Sequence, residues 1–145
     1  MITMDREFET IHHGALQRQA RQRIDRIDDL RAARNASDRG LSQREIADLL
    51  ITSQAKVHRM LKTIERRGGN LELEPEEMIL RAFAYNTDRG QLLETLKSFP
   101  YTFGQPAPYP HEGRLPGTWD QVVAAYTQGL LNKEEFDEVR AAVGR

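Results

Sequence analysis

Gln54, Ala55, His58, Arg59, Lys62 and Arg66 follow one another along a single stretch of the chain, and their side chains suit contact with the edges of base pairs. A Gln amide can pair bidentately with adenine and an Arg guanidinium with guanine, and a bare Ala methyl can approach the methyl of thymine. Lys supplies a phosphate contact, which positions a protein without reading sequence. At about 100° per residue these six fall on one arc of a helix, while Val57, Met60, Leu61 and Ile64 fall on the opposite one. Gln43 and Arg44, at the start of the preceding helix, and Ser53 and Lys56, at the start of this one, complete the candidate DNA-binding set.

The residues around this stretch predict the elements that would hold it. Ile46, Ala47, Leu49 and Leu50 put an apolar stripe on a helix opening near Ser42, and a second helix opens near Ser53. Ser42 and Glu45 have the spacing of a capping box, and Ser53 can cap the second helix, leaving Ile51 and Thr52 as the turn. Ala47 is small where a second helix must cross closely. An ordinary amphipathic helix with a solvated basic face would share the charge pattern. It would not need the caps, the small crossing residue and the short turn together, and these point to a DNA-reading helix-turn-helix. One position departs from that pattern: Ile51 stands where such turns usually hold Gly in a left-handed backbone, so the turn is expected to be strained or differently shaped.

From about Asp5 to Ala36 the chain has no Pro and one Gly, and Phe8, Ile11, Leu16, Ala20, Ile24, Ile27 and Leu30 recur at helical spacing. A helix is expected, with a break near Gly14, whose second half packs Ile24, Ile27 and Leu30 against Ile46 and Val57 in a three-helix unit. Arg18, Arg21, Arg23, Arg26, Arg31 and Arg34 alternate with Asp25, Asp28 and Asp29 and read as a solvated face with internal ion pairs. Gly68 and Gly69 end the third helix and mark the domain boundary. Residues 1–69 are thus expected to form an amino-terminal helix plus a helix-turn-helix domain, and residues 70–145 a second small helical domain. The fold class is all-α.

In the second half, Pro75 opens a helix expected to carry Met78, Ile79, Ala82, Phe83 and Tyr85 inward and to end near Asn86. Asp88 caps another helix with Leu92, Leu93 and Leu96, which stops before Pro100. Five of the six prolines lie between Phe99 and Gly117, a density that predicts no regular element there, and the interleaved aromatics suggest an ordered cover. Thr118 with Gln121 and Asn132 with Glu135 have capping-box spacing, so the tail is expected to be a helical hairpin turning at Gly129.

The chain has 145 residues, 39% hydrophobic and 30% charged, with a net charge of −1. That balance conceals an asymmetry. Residues 1–70 carry 14 Lys and Arg against 10 Asp and Glu, and residues 71–145 carry 7 against 12. A basic first half fits a polyanionic partner. There is no Cys, which removes disulfides, thiolate metal sites and Cys nucleophiles. No apolar run is long enough to span a membrane, and Asp5, Glu7 and Glu9 lie where a signal sequence would be basic. A cytoplasmic protein, acting near the nucleoid of a bacterial host, is expected. His12, His13, His58 and His111 show no metal-ligand spacing, and no phosphate loop, nucleophile elbow or isolated carboxylate pair is present. Neither an enzyme, a cofactor nor a small-molecule substrate is expected.

The chain resembles the immunity repressors of temperate mycobacteriophages, through GLSQREIADLLITSQAKVHRMLK and the tail PGTWDQVVAAYTQGLLNKEEFDEV. The resemblance implies a transcriptional repressor that keeps a prophage silent in lysogeny and binds short, asymmetric, operator-like sites on double-stranded DNA. Asymmetric sites imply a monomer, with a homodimer on a palindrome as the alternative. Carried over, Gln54, Ala55, His58, Arg59 and Lys62 would read bases in the first module. A second DNA-binding module would draw on Arg81, Arg89, Gln91, Lys97 and Arg114. The rival reading is an antitoxin-type autoregulator whose second half binds a partner protein.

Overall fold

The computed structural model describes residues 5–145. Its elements are helices α1 (Arg6–Asp38), α2 (Gln43–Leu50), α3 (Gln54–Arg66), α4 (Pro75–Tyr85) and α5 (Arg89–Ser98), strands β1 (Gln105–Pro106) and β2 (Arg114–Leu115), and helices α6 (Trp119–Thr127) and α7 (Lys133–Val143). The all-α class holds, with one correction. Within the proline-rich stretch, β1 and β2 form a short antiparallel ladder, Gln105 opposite Leu115 and Pro106 opposite Arg114. A two-residue ladder at an edge can hold a proline because it needs few N–H donors.

α1 is a second correction, since it runs without a break through Gly14. One Gly inside a helix costs only about 1 kcal/mol relative to Ala, which a helix of this length absorbs. The chain forms two compact units, and their division differs from the expected boundary at residue 69. One unit is Gln22–Glu72; the other joins α1 up to Arg21 with Leu73–Arg145.

In the Gln22–Glu72 unit the core is Ala33, Ala36, Ile46, Ala47, Val57 and Met60, flanked by half-buried Leu30, Leu41, Leu50 and Leu61. The contact on α1 is thus centred about two turns later than the Ile24–Leu30 stretch predicted for it. Ala33 and Ala36 are small enough to let neighbouring side chains close on α1. Ile24 is fully buried but stands outside this cluster, and Leu49, expected inside, is 63% exposed. The segment after α3 is tied back to α1 by arginines. Arg31 donates from Nε and Nη2 to the Leu71 carbonyl at 3.1 and 2.9 Å, and Arg34 donates from Nη1 to the Gly69 carbonyl at 3.0 Å. These guanidiniums therefore serve main-chain oxygens.

In the second unit, α4 opens on Pro75 and ends at Asn86 in the left-handed region, and Asp88 accepts from the Gly90 and Gln91 amides to start α5. Tyr101, Trp119, Phe136 and Tyr126 form a run of ring contacts, and the Tyr101 hydroxyl donates to the Leu96 carbonyl at 2.6 Å. Burial pushes that hydroxyl's pKa up to about 12. Phe99 and Tyr101 do fold back as cover, whereas Tyr109 is 97% exposed. The capping box at Thr118 is absent. Thr118 and Thr102 instead exchange amide-to-hydroxyl bonds at 2.9 Å each, and Gln121 accepts from the Glu76 amide and donates to Glu74. A partner sixteen residues away has displaced the local one.

The box at Asn132 and Glu135 does form. Glu135 also receives Arg89, at 2.7 Å from Nη2 and 2.8 Å from Nε, and Arg89 donates again to the Leu130 carbonyl. The Arg89 guanidinium, then the Asn132 amide, hold the Glu135 carboxyl below its ordinary range against the opposing effect of burial. The unfolded chain therefore takes up this proton first as acid is added. The contribution is complete above the ordinary carboxylate value, about 4.5, and disappears as pH falls through the lower folded value. Glu135→Gln is expected to flatten the fall of melting temperature with acid over that window, read by circular dichroism. An unchanged acid limb would remove Glu135 from the account.

Candidate nucleic-acid interface

The site is built from α2, the three residues after it, and α3. Ser42 and Glu45 form the expected capping box: the Ser42 amide donates to Glu45 Oε1 at 2.9 Å and the Glu45 amide to Ser42 Oγ at 3.2 Å. The bond from the Ser42 amide is the main reason the Glu45 carboxyl sits below its ordinary pKa. Ser53 Oγ accepts from the Lys56 amide at 3.1 Å and so starts α3. Ala47 is buried, consistent with its expected place at the crossing.

Between the helices Ile51 takes φ 56° and ψ 54°, the left-handed region, and its side chain is 93% exposed. A β-branched residue there is strained by about 1–2 kcal/mol, because its Cβ crowds the following carbonyl. Nothing buried rewards the isoleucine. Ile51→Gly is therefore expected to raise stability by about 1 kcal/mol, the relief of strain exceeding the added chain entropy. Urea denaturation of the full chain measures it, and a loss of stability would contradict the strain.

α3 divides as its sequence predicts. Val57, Met60 and Ile64 are buried and Leu61 is half-buried, while Gln54, Ala55, Lys56, His58, Arg59, Lys62 and Arg66 are exposed. The structure thus gathers these seven on the outer surface of one helix, with the capping residue Ser53 exposed at its start. Of the two candidates on α2, Arg44 is exposed and half-buried Gln43 turns toward α3, its Nε2 standing 3.4 Å from His58 Nδ1. Lys62 lies 3.4 Å from Glu65, with both side chains more than half exposed, a pair of little energetic weight. Arg66 donates to Thr63 Oγ1 at 3.2 Å. The cations of this surface can therefore turn toward a ligand at small cost.

The candidates of the second half are placed differently. Arg81 pairs with buried Glu77 at 2.8 Å, Arg89 is held by Glu135, and Lys97 lies between Glu94 and Glu138 at 3.2 and 3.3 Å. Lys97's pKa is raised, chiefly by the bond to Glu94. Arg114 donates to the Gly104 carbonyl at 3.4 Å, and of the five only Gln91 presents an exposed side chain that makes no hydrogen bond among the described residues. Arg81 and Gln91 line one groove, and Arg89 lines another. These five do not form a cationic face like that of α3. Arg89–Glu135 and Lys97–Glu138 join residues far apart in sequence, which spacing could not show, whereas Arg81–Glu77 and Lys97–Glu94, at i,i+4 and i,i+3 on one helix, are pairs the sequence itself offers.

All four histidines have exposed side chains, and no group of three or more His, Asp or Glu among the described residues could hold a metal ion. Among the same residues no helix is long and apolar enough to cross a membrane. No known family, curated protein or solved structure matches this chain.

Proposed function

We propose that this protein is a sequence-specific repressor that binds double-stranded DNA through α3 in the major groove, of the kind that maintains phage lysogeny. The observation that carries the reading is the outer surface of α3. Gln54, Ala55, His58, Arg59 and Lys62 are together exposed on a helix whose opposite side is anchored in a core and whose start is capped. Such side chains read base edges by bidentate hydrogen bonds and methyl contacts, and the surrounding cations neutralise phosphates and release counterions. Bound protein would occlude RNA polymerase, which needs no catalysis or cofactor. The resemblance of the sequence to mycobacteriophage immunity repressors supports the operator-like, asymmetric site and the monomer.

The test is selection of duplexes from a random pool by the full-length protein, followed by titration of the selected duplex and a scrambled one at several salt concentrations. The expected result is an enriched sequence bound at least 10³-fold more tightly than the scramble, with affinity falling linearly on logarithmic axes as salt rises. Failure to enrich any sequence would overturn the reading.

A second reading applies to residues 73–145 alone. Three of the four cations first named there for DNA are committed to carboxylates, and the half is acidic, which favours a protein partner as in an antitoxin-type autoregulator. Deleting these residues would then spare sequence preference and abolish partner binding.

A further inference from the structure

A cleft of about 300 Å³ within the Gln22–Glu72 unit is lined by Arg26, Asp29 and Leu30 of α1 and by Lys56, Arg59, Met60 and Thr63 of α3. Its floor is apolar and its rim carries three cations against one carboxylate. Those three cations are spare. Arg31 and Arg34 spend their guanidiniums on main-chain carbonyls, but the side chains of Arg26, Lys56 and Arg59 make no hydrogen bond or ion pair among the described residues.

We infer that this cleft seats one phosphodiester strand of the DNA duplex, with Arg26 of α1 as a phosphate-positioning residue; the inference rests on the reading of α3 given above. At about 100° per residue, Lys56, Arg59 and Thr63 follow one flank of α3, and His58, which Gln43 of α2 reaches, follows the other. The major groove is about 12 Å wide and a helix with its side chains about 10–12 Å across, so both flanks of a seated helix face a sugar-phosphate strand. On the flank toward α2, Gln43 and Arg44 stand at the strand. On the opposite flank, what stands there is this cleft. Arg26 and Lys56 suit a phosphate there, leaving Arg59 to the base edges, and Leu30 and Met60 offer apolar surface to the deoxyribose beside it. Asp29 opposes the phosphate and limits the affinity.

The experiment uses full-length protein, the selected duplex and a scrambled duplex, with salt titrations of Arg26→Gln and Asp29→Asn. Loss of one phosphate contact is expected to lower the salt slope by about 0.9 and the affinity by about 5- to 10-fold at moderate salt. The factor should be the same for both duplexes, because a phosphate contact carries no sequence. Asp29→Asn should strengthen binding to both. If Arg26→Gln does not melt like the parent protein, the sign of the Asp29→Asn effect decides. An unchanged slope for Arg26→Gln, in a protein whose Lys62→Ala variant does flatten it, overturns this inference and leaves the role of α3 standing. If the unaltered protein ignores both duplexes, the reading of α3 falls and this inference with it.

Discussion

Ile46→Ala is expected to destabilise the Gln22–Glu72 unit by about 2–5 kcal/mol, the sum of lost apolar burial and the cavity left behind. Ile46 is fully buried between Ala33 and Ala36 on α1 and Val57 and Met60 on α3, in a cluster those three helices share. A unit of this size has only about 3–8 kcal/mol of stability to lose. The substitution therefore takes α2 and α3 close to unfolding in otherwise native conditions. Amide hydrogen exchange on the full chain measures this, with α2 and α3 losing protection together and duplex affinity falling in proportion. Unchanged protection in α2 would show that Ile46 is not the anchor its burial indicates.

Arg59→Ala is expected to cost about 1–3 kcal/mol on the selected duplex and to relax the preference at one base pair, because a guanidinium that reads guanine has no substitute nearby. Lys62→Ala should instead weaken the selected and scrambled duplexes alike and reduce the salt slope. Repeating the selection with each variant separates the roles: Arg59→Ala should change the recovered sequence at one position and Lys62→Ala at none. Equal losses on all sequences from both variants would leave α3 a non-specific cationic surface.

The parts of this architecture that could be read from sequence are those whose chemistry closes within one helical turn. The capping boxes at Ser42 and Asn132, the caps at Ser53 and Asp88, the opening at Pro75 and the stop at Asn86 join residues two to four apart, and all are present. The left-handed strain at Ile51 was legible for the same reason. The failures occur where a distant group competes. Thr118 caps nothing because Thr102 takes its hydroxyl and amide. Arg89 looked available until folding set Glu135 beside it, and Lys97 gained Glu138 in the same way, whereas the Arg81–Glu77 and Lys97–Glu94 pairs lie at helical spacing and are legible in the sequence. The division inside α1 leaves no local mark, since helical periodicity records that a residue is buried and not against what. For the same reason Arg26 looked like Arg31 and Arg34, although the latter two hold the 69–71 segment and Arg26 lines the cleft beside Lys56.

Glu135 joins two contacts in one carboxylate: Oε1 accepts from both the Asn132 amide and Arg89, and Oε2 takes the second arm of the guanidinium. Arg89→Ala leaves the carboxylate its bond from the 132 main-chain amide, and Asn132→Ala keeps that amide and removes only Oδ1, the acceptor for the Glu135 amide. Either lesion is therefore partial. A change at 135 takes the ion pair and the reach-back half of the cap at once, so tolerance to substitution is narrower at this one position than at the two it serves.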